Sequence, residues 1–255
     1  MTPRGVLHPN EHAPIVETGI HEPAPEAAPF VEYYWHVRWH TPRPYDTKVL
    51  SHPNVHLVFE EPEPLVYGVD RGLFTRTLEG EGHVLGVRFR AGGFRPFSDG
   101  PVIDLADRRV PAAHFFGPEV AAVSREVLGS ADPAGVAAEF IRPHLPAKAD
   151  PLAEEVAEMV AAITGDPSLT RVAEAARALT VSTRTLQRLF AEYVGASPKW
   201  VLRRARLHEA AARADAGTAI DWAALAADLG YADQSHLTRD FTAVVGTSPA
   251  AYART

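Results

Sequence analysis

One segment of the chain repeats itself, and this repeat constrains the fold more than any other feature. Leu186-Gln-Arg-Leu-Phe190 aligns with Leu237-Thr-Arg-Asp-Phe241 at an offset of 51 residues. Val194-Gly-Ala-Ser-Pro198 aligns with Val245-Gly-Thr-Ser-Pro249 in the same register, so seven identities share one offset. A repeat of this kind is one supersecondary unit used twice.

The punctuation predicts what the unit is. In the first copy Thr170 is placed to cap a helix running through Ala178, Ser182 to cap the next, and Ser197-Pro198 to open a third. In the second copy Asp221 caps Trp222 to Leu229, Gly230 breaks that helix, Asp233 caps the next, and Ser248-Pro249 repeats the start signal. Short polar side chains satisfy the first free backbone N–H groups of a helix, and proline fits its first turn. Two small helical subdomains are therefore expected, at about 168–198 and 221–255. A connector helix from Pro198 to about Ala216, ended by Gly217, joins them.

The second helix of each copy separates two faces. Leu186, Leu189, Phe190, Tyr193 and Val194 recur at helical spacing and should face a core, which leaves Arg184, Gln187 and Arg188 outside. In the other copy Leu237, Phe241, Val244 and Val245 point inward while Ser235, Thr238 and Arg239 point out. Arginine and glutamine form bidentate bonds to guanine and adenine edges, and a helix fits the major groove of DNA. A sharply turned helix pair presenting such a face is a helix-turn-helix.

At these residues the chain resembles the AraC/XylS-type transcription regulators over about residues 150–255. The resemblance rests on Ser182-Thr-Arg-Thr-Leu-Gln-Arg-Leu-Phe190 with Gly195-Ala-Ser-Pro198, and on Gly230-Tyr-Ala-Asp-Gln-Ser-His-Leu-Thr-Arg-Asp-Phe241 with Gly246-Thr-Ser-Pro249. It implies base reading by Thr183, Arg184, Gln187 and Arg188, and then by Gln234, Ser235, Thr238 and Arg239. Lys199, Arg203, Arg204 and Arg206 are expected at phosphates, which position a protein without specifying sequence. Two positions depart from the pattern. Thr180 stands where glycine is common at the first turn, and Asp240 matches inward-facing Leu189, so it needs a basic partner.

Charge divides the chain near the Gly165-Asp166-Pro167 turn. Residues 1–167 hold 14 Lys/Arg against 24 Asp/Glu, whereas residues 168–255 hold 11 against 8. The net charge of −7 thus conceals a basic C-terminal part, the footprint expected of a phosphate-binding surface. Composition agrees with the split: 14 of the 22 prolines lie in the first 111 residues, among short β-prone runs. These are Val31–Trp39, Asn54–Glu60, Leu65–Tyr67, Leu73–Leu78 and His83–Arg90. The expected fold is an α+β two-domain protein. Residues 1–149 are expected to form a β-rich sandwich or barrel with helices at its end, which the family resemblance implies to be cupin-like, and 150–255 the tandem helix-turn-helix domain, entered by a helix from Asp150-Pro151 whose Leu152, Val156, Met159, Val160 and Ile163 share one face.

The N-terminal part is read as a sensing or dimerisation domain. Arg88 and Arg90 alternate with Val87 and Phe89, so the two arginines are candidates to share a strand face and receive a carboxylate, against the plainer alternative of a solvated face or an ion pair. Trp35, Tyr33, Phe59 and Tyr67 are candidates to line an apolar pocket. His36, His40, His52, His56 and His83 raise the question of a metal. His52 and His56, with Glu60 and Glu61, lack the His-x-His spacing of cupin enzymes, and four residues on a strand span about 13 Å, so no metal is expected.

The chain contains no cysteine, which excludes disulfides, thiolate metal sites and a cysteine nucleophile. Phosphate-loop, dinucleotide, zinc-protease and Gly-x-Ser-x-Gly patterns are absent, and no cofactor is expected. Without an 18-residue apolar run, or signal-peptide character over Met1 to Glu17, a cytoplasmic protein with no membrane partner is expected. The sequence therefore reads as a DNA-binding regulator and not an enzyme. Double-stranded DNA is the principal partner, with RNA polymerase, a small-molecule effector and a second copy joined through the N-terminal domain as further ones. The alternative is a cupin-like small-molecule-binding or metal-dependent enzyme with an appended helical domain.

Overall fold

The computed structural model describes residues 5–8, 15–166, 168–216 and 220–254. Pro167 and Gly217, assigned to turns from the sequence, lie outside the described residues.

Six strands form one antiparallel sheet: β1 (Val16–His21), β2 (Val31–Leu50), β3 (His56–Phe59), β4 (Leu65–Tyr67), β5 (Leu73–Phe89) and β6 (Arg109–Pro111). Their order is β1-β2-β5-β3-β4-β6. The hydrogen bonds join all six into a single sheet. The runs Leu73–Leu78 and His83–Arg90, read separately from the sequence, are the two ends of the single strand β5. The 20-residue β2 continues past its prolines because its register with β5 shifts between Thr41 and Tyr45, a bulge that accommodates them.

Period-two alternation gives the sheet two unlike faces. Leu57, Phe59, Val66, Leu85, Val87 and Phe89 form a core with Val120, Val127, Ala134, Ala137 and Ile141. Those last five belong to α2 (Val120–Gly129) and α3 (Pro133–Ile141), which follow the short α1 (Ala113–Phe116). Phe59 is fully buried on this helix-covered face, so it does not line the pocket expected of it. The opposite face carries Tyr33, Trp35, Trp39, His56, Tyr67, Phe74 and Arg88, which surround a cavity of about 290 Å³.

The C-terminal helices are α4 (Pro151–Gly165), α5 (Val172–Ala178), α6 (Thr183–Leu189), α7 (Pro198–Asp215), α8 (Trp222–Asp228), α9 (Gln234–Val245) and α10 (Pro249–Tyr252). Between α6 and α7 the chain makes a π-helical turn over Phe190–Val194. The connector α7 serves two cores. Its first half puts Val201 and Leu202 into the cluster of α4, α5 and α6, where Val156, Leu186 and Phe190 are buried. Its second half puts Leu207, Ala210, Ala211 and Ala214 against Leu225, Leu237 and Phe241.

The N-terminal part enters both cores. Val69 is buried in the first cluster, and Leu7 and Leu50 in the second.

Candidate functional site

The second helix of each copy, α6 and α9, is fixed by its own sequence. The Ser182 hydroxyl accepts the N–H of Thr185 at 3.0 Å, and the Asp233 carboxylate accepts that of His236 at 2.7 Å. Both caps stand where the sequence placed them. Gly195 and Gly246 then take the left-handed conformation, with φ 83° and 84°, and end both copies alike. The caps Ser197, Asp221 and Ser248 also accept backbone N–H groups as expected.

Thr170 does not cap α5. Arg171 occupies that position, and the Glu174 carboxylate accepts from the Thr170 hydroxyl and from the N–H groups of Thr170 and Arg171. The carboxylate three residues into the helix is the stronger acceptor, so the hydroxyl donates instead.

The turns before α6 and α9 differ between copies. Thr180 stands at φ 57°, matching Gly230 at φ 69° in the second turn. From Thr180 to the cap Ser182 is two residues, whereas from Gly230 to Asp233 is three. The second turn is therefore one residue longer, and the first holds a β-branched residue in a conformation that favours glycine.

The outward faces are open. Thr183, Arg184, Gln187 and Arg188 are exposed on α6, and Gln234, Ser235 and Arg239 on α9, with Thr238 half-buried. Lys199 is exposed at the start of the connector.

Of the other three basic residues expected at phosphates, Arg204 is buried against the N-terminal part, and Arg203 and Arg206 are half-buried against the second subdomain. Arg203 Nε donates to Asp240 at 2.7 Å, and Tyr231 donates its hydroxyl to the same carboxylate at 2.9 Å. Asp240 thus has the basic partner its inward position demanded. Burial and the carboxylate together raise the Tyr231 pKa, which keeps the phenol a donor. Arg206 lies over the Tyr231 ring at 4.5 Å, with its Nε buried.

Arg204 is 2 % exposed and points into the N-terminal domain. Its Nη2 donates to the carbonyls of Asp70, Arg71 and Gly72 at 3.5, 2.8 and 3.0 Å. The Trp200 indole, 4.6 Å from the guanidinium, donates to the Arg71 carbonyl at 3.2 Å. Burial lowers the Arg204 pKa to about 10. One turn further along α7, His208 stacks on His52 with ring centroids 3.9 Å apart. Gly68, Asp70 and His52 line the cavity, so the connector helix touches the cavity's rim directly.

Within the cavity Arg88 is 5 % exposed and fully engaged. Its three nitrogens reach Glu32 at 2.9 Å, the Tyr33 hydroxyl at 2.9 Å and Asn54 at 2.8 Å. Arg90 does not join it. β5 ends at Phe89, and Arg90 turns to the exterior near the Ala28 carbonyl. The proposed two-arginine carboxylate receptor is therefore not formed.

Trp35 lines the cavity as expected, and its indole N–H donates to His56 Nδ1 at 3.1 Å. Trp35 and Trp39 lie directly across from Gly86 and Gly82 in the β2–β5 ladder. A Cβ on either glycine would come within 2.1 or 2.2 Å of the facing indole, so glycine is what lets the rings lie flat there. The sequence signal for this was available: two tryptophans four apart in one strand and two glycines four apart in its partner.

Among the described residues no group of three or more His, Asp or Glu side chains is placed to hold a metal ion. Within those residues, too, no helix is long and apolar enough to cross a membrane.

Comparison with known proteins gives two family matches. Residues 175–255 match the family described as Helix-turn-helix domain, and residues 20–111 match Domain of unknown function (DUF6597). No curated protein matches. Among solved structures the chain is similar to ToxT from Vibrio cholerae, at 10% identity and a TM-score of 0.46, covering 94% of this chain and 98% of that one. A second ToxT structure, bound to (E)-4-(8-methylnaphthalen-1-yl)but-3-enoic acid, matches at 10% identity and a TM-score of 0.45 over the same shares of the two chains.

Proposed function

We propose that this chain is a DNA-binding transcription regulator whose C-terminal helix-turn-helix domain is of the AraC/XylS type and reads two successive major grooves with the outward faces of α6 and α9. The observation that carries this reading is the paired exposure. Two helices, each capped by the polar residue before it, leave Arg184, Gln187 and Arg188 open on one and Gln234, Ser235 and Arg239 open on the other. Such side chains hydrogen-bond base edges, and an isolated wet helix face would not recur in register. Lys199 is the exposed phosphate contact of the basic set, with Arg203 and Arg206 half-buried along the same helix.

The N-terminal domain controls this reader through its cavity. Asp70 lines the cavity, and the next two residues, Arg71 and Gly72, hold Arg204 of the connector, so an occupant that moves Asp70 acts on the helix that spaces the two readers. RNA polymerase and a second copy, joined through the N-terminal domain, complete the proposed partners. In this reading the chain has no catalytic role.

The test is specificity. Duplexes bound by the full chain are selected from a random pool, and binding to the selected site is compared with binding to random DNA. Arg188→Ala or Arg239→Ala should weaken the selected site by about 1–3 kcal/mol and random DNA much less. Equal loss on both would assign these arginines to the phosphate backbone.

A further inference from the structure

The cavity's charges cancel. Arg76 and Arg88 line it, and each is paired with a carboxylate: Arg76 with Glu60 at 2.6 Å, and Arg88 with Glu32 at 2.9 Å. Asp70 also lines it and is paired with Arg109 at 2.9 Å. Three arginines thus stand against three carboxylates. An anionic occupant would leave one buried negative charge in excess, and a cation one positive charge. Either carries a large desolvation cost without a partner.

The lining offers flat apolar faces. Trp35 and Trp39 lie over glycines, and Tyr33, Tyr67 and Phe74 complete the aromatic wall. At about 290 Å³ the space sits at the small end of ligand pockets, suited to one or two fused rings.

One polar group in this wall is left over. An indole N–H can only donate, so the His56 nitrogen that meets it, Nδ1, carries no proton. Burial and the nearby Arg88 and Arg109 hold the imidazole neutral, which puts its single proton on Nε2. Among the described residues the hydrogen bond of the His56 side chain is the one at Nδ1, and the half-buried ring lines the cavity. A donor that opens on a largely apolar pocket fixes the orientation of what binds there, so this one points to an acceptor that comes with the occupant.

We propose that the cavity takes an uncharged, flat, apolar molecule carrying one hydrogen-bond acceptor, such as an aryl ketone, which receives the Nε2–H of His56. The assignment rests on the reading of the cavity as the controlling site and adds the chemical class of its ligand.

The test uses three probes that share a ring system: 2-acetonaphthone, naphthalene and 2-naphthoate, titrated calorimetrically into the full-length protein. The ketone is expected to bind about five- to tenfold more tightly than naphthalene, the size of one neutral hydrogen bond, and the carboxylate more weakly than either. In His56→Leu the ketone's advantage over naphthalene should vanish. In His56→Gln, which keeps an N–H donor, part of it should remain. Because each readout is a ratio within one protein, a partial loss of stability in a variant leaves the result interpretable. Tightest binding by 2-naphthoate would overturn the ligand class and leave the cavity's controlling role standing. Equal binding of ketone and hydrocarbon would overturn the role of His56. Failure of all three to bind would overturn the proposal together with the reading of the cavity as a small-molecule site.

Discussion

Replacing Arg204 by methionine separates two roles that the sequence could not distinguish. Arg204 makes two short hydrogen bonds, to the Arg71 and Gly72 carbonyls at 2.8 and 3.0 Å, and a longer one to Asp70 at 3.5 Å. Two bonds from a charged donor contribute about 3–6 kcal/mol before costs. Burial opposes them: the fall in pKa from 12.5 to about 10 corresponds to about 3 kcal/mol against the charged form. The difference is small, but methionine also leaves the loop carbonyls without their donor. The expected loss in docking of α7 on the loop is about 2 kcal/mol, roughly a 30-fold shift toward the undocked arrangement. Hydrogen exchange in the full-length protein reads this directly. Arg204→Met should lower protection at 68–74 and along the first half of α7 by about that factor, while the salt dependence of DNA binding stays unchanged. A phosphate contact would behave oppositely, flattening the salt slope by about 0.9 and leaving exchange untouched. That outcome would refute the assignment of Arg204 to the domain interface.

Two further substitutions and a pH series follow from the geometry. Thr180→Gly should stabilise the protein by about 0.5–1 kcal/mol in urea unfolding, because relief of the left-handed backbone exceeds the added freedom of the unfolded chain; a destabilised variant would refute the strain. Burial lowers the pKa of both His56 and His208 to about 3 from an ordinary 6.5. The unfolded chain takes up these protons first, so their contribution is complete above pH 6.5 and is lost as pH falls toward 3. At pH 5 each costs about 2 kcal/mol, and the drop in urea midpoint from pH 7.5 to 5 should shrink in His208→Gln. An undiminished drop would show that His208 is not held neutral.

The helical part was legible because its signals are local. Ser182, Ser197, Asp221, Asp233 and Ser248 cap the helices they precede, and those helices bury the residues that helical spacing selects. The sheet was legible in its runs but not in its joins. Nothing local says that Leu73–Leu78 and His83–Arg90 are one strand, since Gly80 and Gly82 between them read as a turn until Thr41 and Trp39 are known to lie opposite them. Phe59 faces the core and not the pocket for a related reason: three apolar residues in a row, Leu57 to Phe59, leave only His56 to mark the cavity side of that strand.

The basic residues of the connector were least legible. Arg203, Arg204 and Arg206 look alike in a charge count. What distinguishes them from Lys199 is tertiary: Asp240 and Tyr231 in the second subdomain, and the carbonyls of a loop more than a hundred residues away. A positive cluster on a helix states that acceptors exist and does not say whether they belong to DNA or to the protein.

The most direct test of the account is the footprint of the full-length protein on its selected DNA site, taken with hydroxyl radicals. The 18-residue connector α7 spans about 27 Å and holds the two recognition helices on one chain. Their faces differ, Arg184/Gln187/Arg188 against Ser235/Thr238/Arg239. One chain should therefore protect two dissimilar blocks on one face of the DNA, centred about 10 bp apart. Protection of a single short block, or of a palindrome occupied only by two chains, would contradict the claim that both copies of the repeat read DNA.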